Sequence, residues 1–423
     1  MRIRMFMPGL KPDSLGWQVY QDLGDAIRAQ GHDFLLLTVG TSGQDSDGNA
    51  VRLEESGLSS RLGRLTSFAF KTRTLLPAAA ALRRYLSRSG DEVEILHVED
   101  AYPNGAAAAM AGVTSLWRGK LVIKPMGEDV LVVGRARYGF RRYALPRTLV
   151  SWVLRRADAV RCSSALVERV VTSIGVRGET RIIPICVTNA TIGAAGEPAD
   201  ERSRRRKRAR AAVDSRFNTE GQPLIMAMGR LHPFKGLDVL VAAMAELPEA
   251  KLLIVGPSLS LASFGDYAGY LKDRAEALGV SERVSFAGPV APPGNLEMLA
   301  AADVVAIPSH LESHNKVAIE AAAVGTPFVV TDTTGIAAAV PETGVGIVVP
   351  PDNPVALAWG LGEILNGRWM HDSGAAADFV RRYAPQQIAS ELVQLYESLA
   401  GRGEGVMGLG SGTFGRGQGE TTT

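Results

Sequence analysis

Cysteine is nearly absent: Cys162 and Cys186 are the only two in 423 residues, and they form no C-x-x-C pair. That excludes a disulfide-built scaffold and a structural zinc site, and it fits a reducing cytosol. Aromatic residues are scarce, at 6% against 46% apolar, so a large core has to be built from Ala, Val and Leu. An excess of one charge is missing too. The 46 basic and 44 acidic residues leave a net +2, which gives no global drive toward nucleic acid. No run approaches the roughly 20 apolar residues that cross a bilayer. The opening MRIRMFMPGLKP has a basic start, but its apolar stretch is far too short for a secretory leader. The six histidines show no metal-ligand spacing, and the residue order argues for no Ser/His/Asp or Cys/His grouping. The expectation is a soluble, cytoplasmic chain, at most attached to a membrane face, with no metal or other cofactor.

What is present is alternation. RIRMFMP reads as an apolar strand and GWQVYQDLGDAIRAQG as a helix with Val19, Leu23, Ala26 and Ile27 at helical spacing. Gly31 ends that helix, and HDFLLLTV follows as a buried strand. VEILHVE, KLVIKPM, AVRCS and TRIIPI continue the series. After residue 221 a second series runs through PLIMAMG, AKLLIVG, RVSFAG, DVVAIPS, PFVVTD and GIVVPP. Helix-length segments lie between them. This pattern predicts an α/β chain of two Rossmann-like, doubly wound domains, with ligands at the carboxyl ends of the strands in the cleft between them. The expected divisions are 1–187 and 222–383 for the domains and 188–221 for a charged connection with one exposed helical turn. The Gly-rich end, 402–423, reads as disordered.

Three stretches mimic sites without being them. GSGTFG, Gly410 to Gly415, matches G-x-G-x-x-G but has no strand before it or helix after it. DSDGN, Asp45 to Asn49, resembles the start of a calcium loop, yet its glycine is misplaced and the closing glutamate absent, so it reads as a turn. RSRRRKRAR lacks interleaved aromatics, and no nucleic-acid partner is expected.

ESHNKVAIE, Glu312 to Glu320, holds two carboxylates eight positions apart, with His314, Asn315 and Lys316 between them. A helix beginning near Asn315 places Val317, Ala321 and Val324 on one face and draws Glu320 onto it. A buried carboxylate there requires hydrogen-bond donors, which ribose hydroxyls supply, while the helix-start N–H groups suit a phosphate. Upstream, LIMAMGRLHPFKG sets Gly229, Arg230, Lys235 and Gly236 between a strand and a helix. Two cations at a strand's carboxyl end neutralise a diphosphate, and glycine lets the backbone approach closely. The two segments together point to a nucleotide diphosphate whose far end is a sugar.

From Leu224 to Pro351 the chain resembles the donor domain of the family-four retaining glycosyltransferases, which have the two-domain GT-B fold. GRLHPFKG, LLIVG, RVSFAGPV, DVVAIPSHLE and IEAAAVGTPFVVTDTTG follow that family's order and spacing. The resemblance implies that Arg230 and Lys235 bind the donor diphosphate, that Glu320 holds the ribose and that Glu312 faces the donor sugar. It also implies that the helix over 384–401 crosses back to the first domain. Ser313, His314 and Asn315 replace the family's usual Gly-Phe-Gly, and Ala338 lies near the place of a common glutamate.

The first half carries a fainter likeness. EILHVEDAYPNG has Glu99 where the family's second histidine stands and keeps Asp100; IKPMGEDV has Met126 at a usual histidine. Gly16 corresponds to a reduced glycine loop near the donor phosphates. Glu99, Asp100, Glu128 and Asp129, with Met126, are the expected acceptor region, and four carboxylates favour a cationic acceptor such as an amino sugar. Two stretches, RLGRLTSFAFKTRTLL and RARYGFRRYALPR, mix basic with apolar residues as membrane-surface helices do, so an envelope or lipid acceptor is the alternative. A nucleotide-sugar epimerase and a non-catalytic binding subunit are the alternatives of another class.

Overall fold

In a computed structural model the chain is described over residues 1–10, 14–40, 43–44, 49–54, 75–89, 92–113, 117–258, 260–261, 265–369 and 373–401. The Gly-rich end, most of DSDGN and most of RLGRLTSFAFKTRTLL lie outside those residues. Two helix-covered sheets organise the rest. The first contains β1 (Arg2–Phe6), β2 (Asp33–Gly40), β3 (Gly43–Gln44), β4 (Ala50–Glu54), β5 (Ile95–Glu99), β6 (Lys120–Lys124), β7 (Ala159–Cys162) and β8 (Glu179–Ile182). Their order across the sheet is β3-β4-β2-β1-β5-β6-β7-β8. All pairings are parallel except β3 with β4.

The second sheet is parallel throughout. It is built from β9 (Leu224–Met228), β10 (Lys251–Val255), β13 (Val284–Gly288), β14 (Val304–Ile307), β15 (Phe328–Thr331) and β16 (Gly346–Val349), in the order β13-β10-β9-β14-β15-β16. A small hairpin of β11 (Ser260–Leu261) and β12 (Gly265–Asp266) stands apart from it. Strands covered on both faces must be apolar nearly throughout. ILHVE, KLVIK, LIMAM and VVAI are buried along almost their whole lengths. The order reversal beside β1 and β9 opens a crevice at the carboxyl edge of each sheet, and the two edges face each other.

The 188–221 segment is a correction to the sequence reading. It folds as two helices, Asn189–Ala195 and Ala199–Phe217, rather than one exposed turn. Ala209 and Val213 enter the second domain's core, and Arg206 and Arg210 both bind Asp303, at 2.6 and 2.8 Å. The Pro385–Leu399 helix packs against the Leu15–Arg28 helix of the first half. Ile388, Leu392, Leu395 and Tyr396 join Ile3, Met5 and Leu23 in one apolar cluster there.

Candidate active site

Backbone geometry sets the first part of the site. After β9 the chain makes a short 3-10 turn over Pro233–Lys235, capped by Gly236 at φ 64° before the Leu237–Ala243 helix. A Cβ at Gly236 would lie 2.0 Å from the Pro308 carbonyl oxygen, so only glycine lets this loop lie against the end of β14. The loop brings Lys235 Nζ to 2.5 Å from Glu312 Oε1. Ser309 Oγ and Asn315 Nδ2 donate to Glu312 Oε2 at 2.8 and 2.9 Å. A narrow pocket lined by Gly229, Arg230, Lys235, Ser309 and Asn315 runs down to the ends of β9 and β14. Arg230 is exposed at its rim.

The second part is the helix Lys316–Ala323. Asn315 caps it, accepting the Ala318 N–H at 2.9 Å, which satisfies one of the N–H groups that a helix start leaves without an intrahelical partner. Glu320 is buried at 3% exposure, with Lys316 Nζ 3.9 Å away. Burial raises its pKa, against the pull of Lys316 and a hydrogen bond from Asn295. His314 is buried, with Nδ1 accepting the Asn315 N–H at 3.0 Å and its ring 5.4 Å from that of Tyr383. Glu312, Asn315 and Lys235 are therefore one hydrogen-bonded unit. Lys316 follows Asn315 directly, and Glu320 lies one helical turn beyond Lys316.

Several contacts tie the domains together at this edge. Ser163 and Ser164 hydroxyls donate to the Ser313 carbonyl at 3.3 and 2.8 Å, and Ser313 Oγ donates to the Met126 carbonyl at 3.0 Å. Tyr138 stacks on Phe234 with centroids 4.2 Å apart. Arg135 reaches across to His310 and Asp352.

The first-domain carboxylates do not form the expected acceptor pocket. Glu99 is wholly buried, bonded to Lys124 Nζ at 2.7 Å, with an Arg161 nitrogen 4.0 Å away. Burial works to raise the pKa of Glu99, but Lys124, His97 and Arg161 outweigh it and hold it below its ordinary value. Asp129 accepts the backbone N–H groups of Ala101, Met126 and Gly127 at 2.6, 3.0 and 2.9 Å. Asp100 accepts from the Asn104 backbone and side chain. Three of the four carboxylates thus hold the ends of β5 and β6 and the loops after them in shape; Glu99 and Asp129 are buried, and Asp100 and Glu128 are half-buried. Met126 is 42% exposed at the cleft, and Gly16 lines a separate cavity with Lys124, Arg161 and Lys316.

Lys124 and Arg161 are functional candidates that sequence reasoning passed over. Their signal was a cation inside or ending an otherwise apolar strand, KLVIK and AVRC. His97, read as a strand residue with a satisfied ring, bonds Tyr396 through Nδ1 at 2.5 Å, while its Nε2 has no hydrogen-bond partner. Among the described residues no group of three or more His, Cys, Asp or Glu side chains is placed to hold a metal ion, and no helix is long and apolar enough to cross a membrane.

Two facing Rossmann-like domains with a charged cleft define the GT-B class of α/β proteins. Comparison with solved structures agrees. Sucrose-phosphate synthase from Thermosynechococcus elongatus superimposes with a TM-score of 0.74 at 24% identity, over 94% of this chain and 99% of that one. The Anabaena protein HepE, solved with UDP, gives 0.67 at 19% identity over 94% and 100%. Residues 210–382 match the model of the glycosyl transferases group 1, and residues 16–188 match that of the glycosyl transferase 4-like domain. The chain belongs to the glycosyl transferases group 1, the family-four type with the GT-B fold. Curated relatives include an uncharacterized glycosyltransferase of Methanocaldococcus jannaschii, 35% identical over 42% of this chain and 45% of its own length. A D-inositol 3-phosphate glycosyltransferase of Mycobacteroides abscessus is 35% identical over 44% of this chain and 42% of its own length. The alignments thus span less than half the length of these relatives.

Proposed function

We propose that this chain is a retaining glycosyltransferase that moves a sugar from a nucleotide-diphosphate sugar to a hydroxyl of a small acceptor. One observation carries the reading: Lys235, Glu312 and Asn315 form a single hydrogen-bonded unit beside Arg230 and one turn from buried Glu320. In this reading the donor diphosphate replaces Glu312 as the partner of Lys235, with Arg230 closing over it. Glu312, released, accepts a hydroxyl of the donor sugar, and Glu320 accepts the ribose hydroxyls beside Lys316. His314 and the N–H groups following Asn315 complete the cradle.

The bond from the anomeric carbon to the leaving phosphate oxygen breaks as the acceptor oxygen bonds to the same face of that carbon. The acceptor proton passes to the departing phosphate oxygen. Positive charge fixed in place at the leaving group stabilises the separating ions, and holding the acceptor hydroxyl close removes much of the remaining entropic barrier. In this proposal Arg230, Lys235 and the helix N–H groups supply that charge without a metal. The UDP and UDP-glucose complexes of HepE support uridine diphosphate sugars as the first donors to try.

The test is a thermal-shift screen of UDP-, GDP- and dTDP-sugars, then mass spectrometry of an acceptor library with the best donor. Glu320→Gln and Lys235→Ala are each expected to abolish the nucleotide-induced shift. Persistence of the shift in both places the donor elsewhere. An inverted anomer in the product would refute retention, and an epimer formed from donor alone would make the chain an isomerase.

A second reading, contact with an anionic membrane surface, is favoured by one groove. Arg141, Arg147, Arg155, Arg156 and Arg177 line it around Trp152, next to exposed Tyr143 and Leu145.

A further inference from the structure

Between β6 and the Ala144–Leu154 helix the first domain carries a hairpin closed by Val133 and Tyr138, whose backbones exchange hydrogen bonds at 3.1 Å in both directions. Its root is fixed. The Leu131 N–H donates to the Gly127 carbonyl and the Phe140 N–H to that of Glu128, each at 2.7 Å, while Asp129 gathers the N–H groups of Ala101, Met126 and Gly127. Gly139, at φ 100°, lets the chain fold back, since a Cβ there would lie 2.1 Å from the Leu131 carbonyl oxygen.

Two side chains of this hairpin reach the second domain, and they land on the loops that carry Lys235 and Glu312. Tyr138 is buried, stacks on Phe234 with the ring planes 30° apart, and meets the His232 ring edge-on at 5.7 Å. Arg135 donates to His310 Nδ1 at 2.7 Å and pairs with Asp352. The His310 N–H donates to the Phe234 carbonyl at 2.9 Å, so the two landing points are themselves joined. Phe234, buried, and Leu311, partly buried, pack into the first domain's apolar cluster with Val130, Leu131, Val133 and Tyr138. Phe234 directly precedes Lys235, and Leu311 directly precedes Glu312. The neighbours of both functional side chains are thus held by the opposite domain.

We propose that Tyr138 and Arg135 are positioning residues for sugar transfer: the hairpin clasps Phe234 and His310, and so fixes Lys235 and Glu312 against the leaving diphosphate and the donor sugar. The proposal rests on the glycosyltransferase reading for those two roles, but the clasp is measurable without turnover. A cation held in place matters most as charge develops on the leaving group, so loosening it lowers kcat more than it raises KM.

The experiment compares the full chain with Tyr138→Ala, Tyr138→Phe and Arg135→Ala. Amide hydrogen exchange over residues 232–240 is read first, with the Pro385–Leu399 helix as the internal reference. Tyr138→Ala is expected to speed exchange over 232–240 by roughly tenfold and to leave the reference helix unchanged. Tyr138→Phe keeps the ring stack and should match the unsubstituted chain. Arg135, whose side chain is 53% exposed, is the weaker anchor and should give a rise of about threefold. Arg135→Ala decides alone if Tyr138→Ala does not fold. In transfer assays Tyr138→Ala should lower kcat by about ten- to a hundredfold, with the donor KM changed less than about threefold. Unaltered exchange over 232–240 in both alanine variants overturns the proposal, as does a kcat loss in Tyr138→Phe equal to that in Tyr138→Ala. An equal rise at the reference helix, or a KM rise matching the kcat loss, also overturns it, because either marks general loosening. If the unsubstituted chain transfers no sugar, the glycosyltransferase reading fails by itself and the exchange comparison still decides the clasp.

Discussion

His97, within β5 of the first sheet, and His314, just before the Lys316–Ala323 helix, share one electrostatic condition. Burial pushes both imidazoles down to about 3; Lys124 and Arg161 add to the effect on each, while Glu99 opposes it at His97. In the unfolded chain each titrates near its ordinary value of 6.5. Between those values the unfolded state takes up protons that the folded state refuses. Their contribution to stability is therefore complete above about 6.5 and is lost as pH falls toward 3. The slope is roughly 1.4 kcal/mol per pH unit for each such histidine. His314→Gln should flatten the acid limb by one histidine's share, read as urea midpoints between about pH 6 and 4. Parallel limbs for the variant and the unsubstituted protein would show that His314 is protonated in the fold. Glu320 was legible at this scale, since its spacing from Val317 and Val324 drew it onto a buried face. Lys124 was not. A cation ending an apolar strand reads the same whether it reaches solvent or turns inward, and only the pairing of β5 with β6 sets Glu99 beside it.

The Ala199–Phe217 helix illustrates the limit at the next scale. Its sequence, ADERSRRRKRARAAVDSRF, has almost no apolar stripe, so the usual sign of a packed helix is missing. Ala209 and Val213, one turn apart, provide the contact, and arginines on the same side complete it through Asp303. That carboxylate also accepts the Leu224 N–H at 2.7 Å, fastening the helix to the first strand of the second sheet. Asp303→Ala is expected to destabilise the chain by about 2–3 kcal/mol, because it leaves two arginines and a strand-end N–H without their acceptor. Urea denaturation measures this; a change under about 0.5 kcal/mol would mean that water replaces the carboxylate at no cost. The strands were easier. Doubly covered parallel strands must be apolar runs bounded by turns, and both series were read on that ground alone.

At the scale of the whole molecule the two domains are joined by the returning Pro385–Leu399 helix and by the Ser313, Tyr138 and Arg135 contacts at the cleft. Away from the cleft, the five-arginine groove on the first domain has the charge density that anionic lipid headgroups attract. Sedimentation with phosphatidylglycerol vesicles should retain the chain at low salt and release it at high salt, where screening is stronger. Arg147→Glu combined with Arg155→Glu should abolish retention, and salt-independent retention or none would remove the membrane reading. The sequence by itself determined two doubly wound halves and the burial of Glu320, because strand and helix burial are local and leave a periodic trace. Tertiary structure alone decided the sign of charge at the first domain's edge. Which buried ions face each other depends on strand register and domain docking, and no single segment encodes either.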